Sequence, residues 1–174
     1  VGKVTNEIFE NQEGYFLMMR GSYGNGVDLE DYRNRELVIV AGGTGVSPVK
    51  GVIDYFGSHP EEVASLQVIA GFKSTRDILF REDIGRWEDQ MELTLTVDAA
   101  EDGEQVKVGL VTKYIPDLHF TDMESAAAIV VGPPVMMKFA VSALGAGPCG
   151  PADLDFPGEK DVLRPGKMRT LPYG

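Results

Sequence analysis

Two glycine-rich segments hold the residue types best suited to chemistry. Gly42-Gly43-Thr44-Gly45-Val46-Ser47-Pro48 follows the continuous apolar run 37–41 and precedes apolar residues at helical spacing. At a strand-to-helix turn, glycines admit a ligand close to the backbone, and free N–H groups and the helix dipole face outward. A proline in the first helical turn loses no needed hydrogen bond. These are the parts of a pyrophosphate cradle, with Gly42, Gly43, Thr44, Gly45, Val46 and Ser47 as its candidate contacts. A tight structural turn explains this segment alone equally well, and neither G-x-G-x-x-G nor a closing Gly-Lys-Ser/Thr is present. Gly132-Pro133-Pro134-Val135-Met136-Met137 repeats the setting, between the apolar run 127–131 and another helical pattern. Taken alone it reads as a proline-started helix with core methionines. Ligands of open parallel sheets bind beyond the carboxyl ends of the strands, so two such loops line one crevice. Gly132, Pro133, Pro134 and Met136 therefore join the candidate set.

The elements that must position these loops are legible from period and punctuation. Residues 37–41, 66–71, 91–97 and 127–131 read as buried strands, with a short extended piece at 106–110. Helices are expected from about 48 to 56, from Asp77 through Trp87, and from Pro133-Pro134 to 144, with a turn of helix at 112–118. Near the start, Thr5 is expected to cap a helix reaching Glu10, and 15–20 to be extended. Strands alternating with helices at this spacing predict an α/β fold, an open parallel sheet with helices on both faces. Phe56, Phe80, Trp87 and Phe139 are assigned to the core, and Lys50, Glu82 and Glu88 to solvated helix faces. His59 and His119 are read as structural or solvated.

Composition narrows the classes. The chain has 174 residues, 43% hydrophobic and 25% charged, the make-up of an ordinary folded domain. A net charge of -11 repels phosphate backbones, which argues against nucleic acid as a partner. The richest apolar stretch, 126–141, is broken by Gly132, Pro133, Pro134 and Lys138, so no membrane insertion is expected. Cys149 is the only cysteine, leaving no cysteine-built metal site or disulfide. With no export signal at Val1, a cytoplasmic setting is expected. Patterned sequence begins at once at Val1, so an upstream segment is expected to be missing.

The segments 37–49 and 129–137 resemble the two nucleotide-site motifs of the ferredoxin-NADP reductase superfamily. The likeness is greatest to its electron-transfer subunits, those of anaerobic sulfite reductase, sulfhydrogenase and dihydroorotate dehydrogenase, and it covers residues 2–147. It implies three parts: a remnant of a flavin-binding β-barrel at 1–30, an NAD(P)-binding domain at 31–147, and a tail at 148–174. Gly2, Lys3, Val4 and Thr5 are similar to the family's helix start on the FAD pyrophosphate, and Arg20-Gly-Ser-Tyr-Gly-Asn-Gly26 to its closing barrel turn. An earlier flavin strand would precede Val1, so the FAD site is expected to be incomplete here. Where many relatives carry Cys-Gly-Pro near the nicotinamide, this chain has Val131-Gly132-Pro133. Lys73-Ser74-Thr75-Arg76-Asp77 occupies the place where relatives read the adenosine ribose. Lys73, Ser74 and Arg76 suit a 2'-phosphate, while Asp77 suits ribose hydroxyls or a helix N-cap, so NADH and NADPH both stay open.

The tail 148–174 has no strand or helix period and stands where relatives place a last strand and a [2Fe-2S] segment. Read one nucleotide forward, the codons for 154–173 permit WISLERKMCCGLGKCGHCRM, which matches the family's end and its C-x4-C-x2-C cluster spacing. The tail is thus expected to be an irregular, out-of-frame replacement, leaving an exposed sheet edge after 144. The resemblance implies an NAD(P)H-dependent oxidoreductase that passes hydride to FAD and electrons through a cluster, present only in the parent protein, to a partner redox subunit. The fragment alone would be inactive. The competing reading is a non-catalytic nucleotide-binding module for regulation or assembly.

Overall fold

The computed structural model describes residues 2–21, 26–100, 106–145 and 168–170. Helix α1 (Lys3–Glu10) precedes strand β1 (Glu36–Gly42), helix α2 (Val46–Ser58), β2 (Ser65–Ser74) and α3 (Arg81–Gln90). Then come β3 (Glu92–Ala99), β4 (Lys107–Val108), β5 (Ala126–Val131), α4 (Pro134–Gly145) and β6 (Met168–Thr170). All pairings in the sheet are parallel, in the order β4-β3-β2-β1-β5-β6. The chain therefore builds outward from β1 through β2, β3 and β4, then returns to place β5 on the other side of β1. That reversal opens a crevice at the carboxyl ends of β1 and β5.

Strand β1 is buried along its whole length, and its alternation feeds two cores. Leu37, Ile39 and Ala41 pack with Val49, Ile53 and Phe56 of α2 and with Trp87 of α3. Val38 and Val40 face the other way, to Val111, Ile115 and the α4 residues Met137, Ala140 and Val141. Each such aliphatic side chain contributes about 1.5–3 kcal/mol by leaving water. This two-sided burial explains why the strand reads as a continuous apolar run rather than as an alternating one.

Several expectations need correction. Helix α3 starts at Arg81 rather than Asp77, because Phe80 adopts a left-handed conformation (φ 54°) that no right-handed helix can pass through. Asp77 closes a short 3-10 turn, Thr75–Asp77, and accepts the Ser74 hydroxyl at 2.7 Å instead of capping a helix. Phe80 thus packs against the core from a loop. Phe139 is 60% exposed, since it lies two residues, about 200°, around α4 from the buried Met137. Lys50 is no solvated side chain: its ammonium lies 2.5 Å from Asp54 and 3.1 Å from Asp83. The cap of α1 is Gly2, with Thr5 inside the helix and no side-chain cap bond. No strand forms over 15–20, and two 3-10 turns, Val111–Lys113 and Ile115–Asp117, replace the helical turn at 112–118. The tail contributes strand β6, parallel to β5, where an irregular segment and an open edge are expected. The remainder of the tail, with Cys149 and most of the out-of-frame segment, lies outside the described residues.

The amino-terminal end of the sheet is held by two buried polar side chains. Gln67 exchanges hydrogen bonds with the backbone of His119, donating at 2.7 Å and accepting at 3.2 Å. The Glu36 carboxylate, in a residue only 6% exposed, accepts N–H bonds from Thr121 and Asp122 at 2.9–3.0 Å. Burial pushes the Glu36 carboxyl up, but the N–H donors of Asp122 and Thr121 outweigh it and hold it below the usual carboxylate range. Both residues pin the loop that leads into β5. A folded-state value below the unfolded one stabilises the protein above the ordinary carboxylate range, and this stabilisation is lost as pH falls through the lowered value. Glu36→Ala is expected to cost about 1.5–3 kcal/mol by removing the charge-assisted bonds that the buried carboxylate accepts from Thr121 and Asp122, measured by urea unfolding at neutral pH. The wild-type advantage over the variant should shrink as the pH is lowered past the carboxylate range. A difference that is constant with pH would contradict this account.

Candidate functional site

The two glycine loops meet at the carboxyl ends of β1 and β5. β1 runs into the short 3-10 turn Gly43–Gly45 and directly into α2; β5 turns at Gly132-Pro133 into α4. Gly45 packs on the last peptide of β5, so that a Cβ there would stand 2.6 Å from the Val131 carbonyl oxygen and 2.9 Å from its carbon. A Cβ on Gly132 would lie 3.2 Å from the Gly42 nitrogen and 2.6 Å from the Met136 methyl carbon. Only glycine allows this approach of one loop to the other. Gly43 differs: its φ is +56°, and the space where a side chain would project is open.

Burial sorts the candidates by task. Gly42, Gly45, Val46 and Gly132 are buried, Gly43 and Met136 are half-buried, and Thr44, Ser47, Pro133 and Pro134 are exposed. The Met136 side chain lies across Gly42 and Gly132, while Met137 points into the core. One methionine of the pair therefore lines the crevice and the other supports the sheet.

Both helices that begin here are electrostatically open. No acidic residue occupies the first turn of α2 or α4, and Gly45, the N-cap of α2, provides no side-chain acceptor. The amino ends of both dipoles thus keep their positive character toward the crevice, which suits an anion. In a chain of net charge -11 this absence of carboxylates is local to the site.

Helix α2 is held in place by a charge cluster shared with α3. Asp54 accepts Lys50 at 2.5 Å, Arg86 at 2.9 Å and the Trp87 indole N–H at 2.8 Å. Asp83 takes up Arg86 at 2.6 Å and Lys50 at 3.1 Å. Burial pushes the Asp54 carboxyl up, and the donors from Lys50, Trp87 and Arg86 more than reverse it, holding it below its ordinary value. The bond to Asp54 raises the Lys50 ammonium.

The third candidate segment begins with the last two residues of β2, Lys73 and Ser74, just beyond Gly71, which pairs with Gly42 of β1. Lys73 and Arg76 are exposed, and Ser74 is half-buried with its hydroxyl donated to Asp77. The structure brings 42–47 together with 132–136 and sets 73–76 at the end of the neighbouring strand. It does not bury residues 2–5, which stand exposed at the start of α1, a helix with no buried residue. Sequence reasoning missed Arg81, whose guanidinium donates to the Thr75 carbonyl. Nothing in its spacing distinguishes it from an ordinary surface charge of a helix. Among the described residues no group of His, Cys, Asp and Glu could hold a metal ion, and no helix is long and apolar enough to cross a membrane.

Comparison with known proteins shows the family and the fold of the chain. A family model described as the oxidoreductase NAD-binding domain matches residues 39–142. The gamma subunit of sulfhydrogenase 2 from Pyrococcus furiosus is 30% identical over 158 residues, covering 83% of this chain and 54% of that subunit. An NADH nitrate reductase from Lotus japonicus is 32% identical over 113 residues, 62% of this chain and 13% of the reductase. The chain thus spans about half of the first relative and a small part of the second. Among solved structures, an NADH-dependent reduced ferredoxin-NADP oxidoreductase superposes with a TM-score of 0.60 at 25% identity, covering 81% of this chain and 47% of that one. A ferredoxin NADP+ reductase from Neisseria gonorrhoeae with bound FAD and NADP shares the fold, with a TM-score of 0.71 at 13% identity over 97% of this chain and 69% of that one.

The contact between the loops makes a prediction about stability. Gly45→Ala drives a methyl group into the Val131 peptide, which is backbone and cannot swing aside. A loss of about 3 kcal/mol in unfolding free energy is expected, at the upper end for overpacking. Gly51→Ala, at an open position of α2, should leave stability unchanged or slightly raised in the same urea titration. Equal effects of the two substitutions would refute the close approach.

Proposed function

This chain belongs to the oxidoreductase NAD-binding domain family, within the ferredoxin-NADP reductase superfamily, and on that premise we propose that it binds NAD(P)H across the loops 42–47 and 132–136. The observation that carries the reading is the meeting of two glycine loops at the switch point of the sheet, each opening a helix with no acidic first turn. In this reading the pyrophosphate lies over the turn 43–47, whose Val46 N–H is itself donated to the Gly43 and Thr44 carbonyls, and Gly43 has the open space that close approach requires. Gly132, Pro133 and Pro134 form the opposite wall, with Met136 as the floor between the loops. Lys73, Ser74 and Arg76 lie toward the adenosine ribose.

NAD(P)H held by 42–47 and 132–136 would supply a hydride to FAD, held in part by residues 2–5, and a [2Fe-2S] cluster would carry the two electrons singly to a partner redox subunit. The chain's own part in that sequence is to bind the nucleotide, fix its phosphates and orient its two ends. Gly2, Lys3, Val4 and Thr5 are read as one edge of the FAD site, at the open N-terminus of α1, completed by an upstream barrel. The sulfhydrogenase relative, itself named as a subunit, supports a place in a larger redox complex.

Two experiments bear on this reading. Gly43→Val places a branched side chain at φ +56°, costing about 1–2 kcal/mol of backbone strain, and fills the open space at the phosphates. NAD(P)H affinity, followed by nucleotide fluorescence, should fall at least tenfold, on the order of 1.4 kcal/mol. Unchanged affinity in a folded variant would remove the reading. Replacing Lys73 and Arg76 together with Ala should weaken NADPH at least tenfold more than NADH if the two cations grip a 2'-phosphate. Equal losses would show that the segment reads no phosphate.

A further inference from the structure

We infer that Arg81 is a positioning residue for the adenosine end of the nucleotide, holding the loop 75–77 against the end of the sheet. The inference rests on the reading of 73–76 as the ribose-facing segment. Arg81 is the first residue of α3, and its guanidinium reaches back to donate to the Thr75 carbonyl. The same carbonyl accepts the Ile78 N–H at 3.3 Å, so one oxygen ties both ends of the turn. Thr75 is itself buried, at 4% exposure, between the exposed Lys73 and Arg76.

The upstream side of this loop needs no further support, since Ser74 still pairs with Ala99 of β3. Downstream the sheet gives no such hold, and Arg81 supplies it. The geometry that lets it do so is unusual. Phe80, a bulky residue, takes φ 54° and ψ 40°, a conformation that persists only where the surroundings impose it. Its ring packs edge-on to Trp87, with centroids 6.3 Å apart, and lies 5.4 Å from the Lys50 ammonium. Trp87 and Lys50 are in turn both bonded to Asp54 of α2. The left-handed turn reverses the chain, so that the side chain beginning α3 faces the loop just left behind. Through this chain of contacts the helix that starts at the phosphate loop and the loop expected at the ribose are held in one frame. A guanidinium suits the task because it offers several N–H groups in a fixed plane.

The test uses the whole chain and three probes: NADPH, NADH and reduced nicotinamide mononucleotide, which lacks the adenosine ribose. Arg81→Met should weaken the better-bound dinucleotide five- to tenfold while the mononucleotide changes less than twofold, and Arg81→Lys should recover most of the loss. Hydrogen exchange at the Ile78 amide should quicken in Arg81→Met, with the amides of β1 unchanged. If Arg81→Met does not fold, Arg81→Gln, which shortens the reach but stays polar, replaces it. A folded variant that loses neither probe, or both in equal measure, overturns the inference alone. A wild-type chain that binds no dinucleotide overturns the reading of the site, and this inference with it.

Discussion

A peptide of one strand end lies against a residue with no side chain at the other: Gly45 on the Val131 carbonyl. This backbone-to-backbone contact is the constraint from which the rest of the site follows. It brings the exits of β1 and β5 to van der Waals distance, so that α2 and α4 begin side by side and direct their amino ends into the same crevice. Any side chain at Gly45, or at Gly132 opposite the Gly42 nitrogen, would separate the loops and point the two dipoles at different places. Gly43 has another task, a positive φ that turns the chain from strand into helix while leaving the space above it open.

The two ends of the sheet use polar groups in opposite ways. At the amino end, the Glu36 carboxylate and the Gln67 amide are buried and fully engaged, binding the loop before β5 to β1 and β2. At the carboxyl end, carboxylates are kept out of the first turns of α2 and α4. The charges of α2 and α3 satisfy one another through Asp54, Lys50, Asp83 and Arg86, away from the first turn of α2. The polar groups that stabilise the fold therefore lie away from the crevice, which in an acidic protein stays suited to an anion.

Sequence alone determined the alternation of strand and helix, the burial of 37–41 on both faces, and two glycine loops at strand-to-helix turns. These are local properties: apolar period, glycine at turns and proline in a first helical turn are written in neighbouring residues. The family likeness rested on the same short motifs, and the matched region 39–142 contains both. The placing of Met136 in the crevice and Met137 in the core was open in the sequence, because residues one position apart on a helix differ by only about 100° and both are apolar.

Tertiary structure decided what depends on partners distant along the chain. Lys50 reads as a surface charge until α3 brings Asp83 to it, and Phe139 reads as core until the side of α4 facing the sheet is known. The start of α3 moved from Asp77 to Arg81 because Phe80 is held left-handed by Trp87 and Lys50, a long-range cause with no local signature. The strand at 168–170 has too few residues to show a period, and it exists by pairing with β5. The tie from Arg81 to Thr75 likewise follows from that left-handed turn. Local sequence sets what each segment can become; which side chains meet is settled only when the parallel sheet fixes the distances between segments, because that contact energy is absent until the chain has folded.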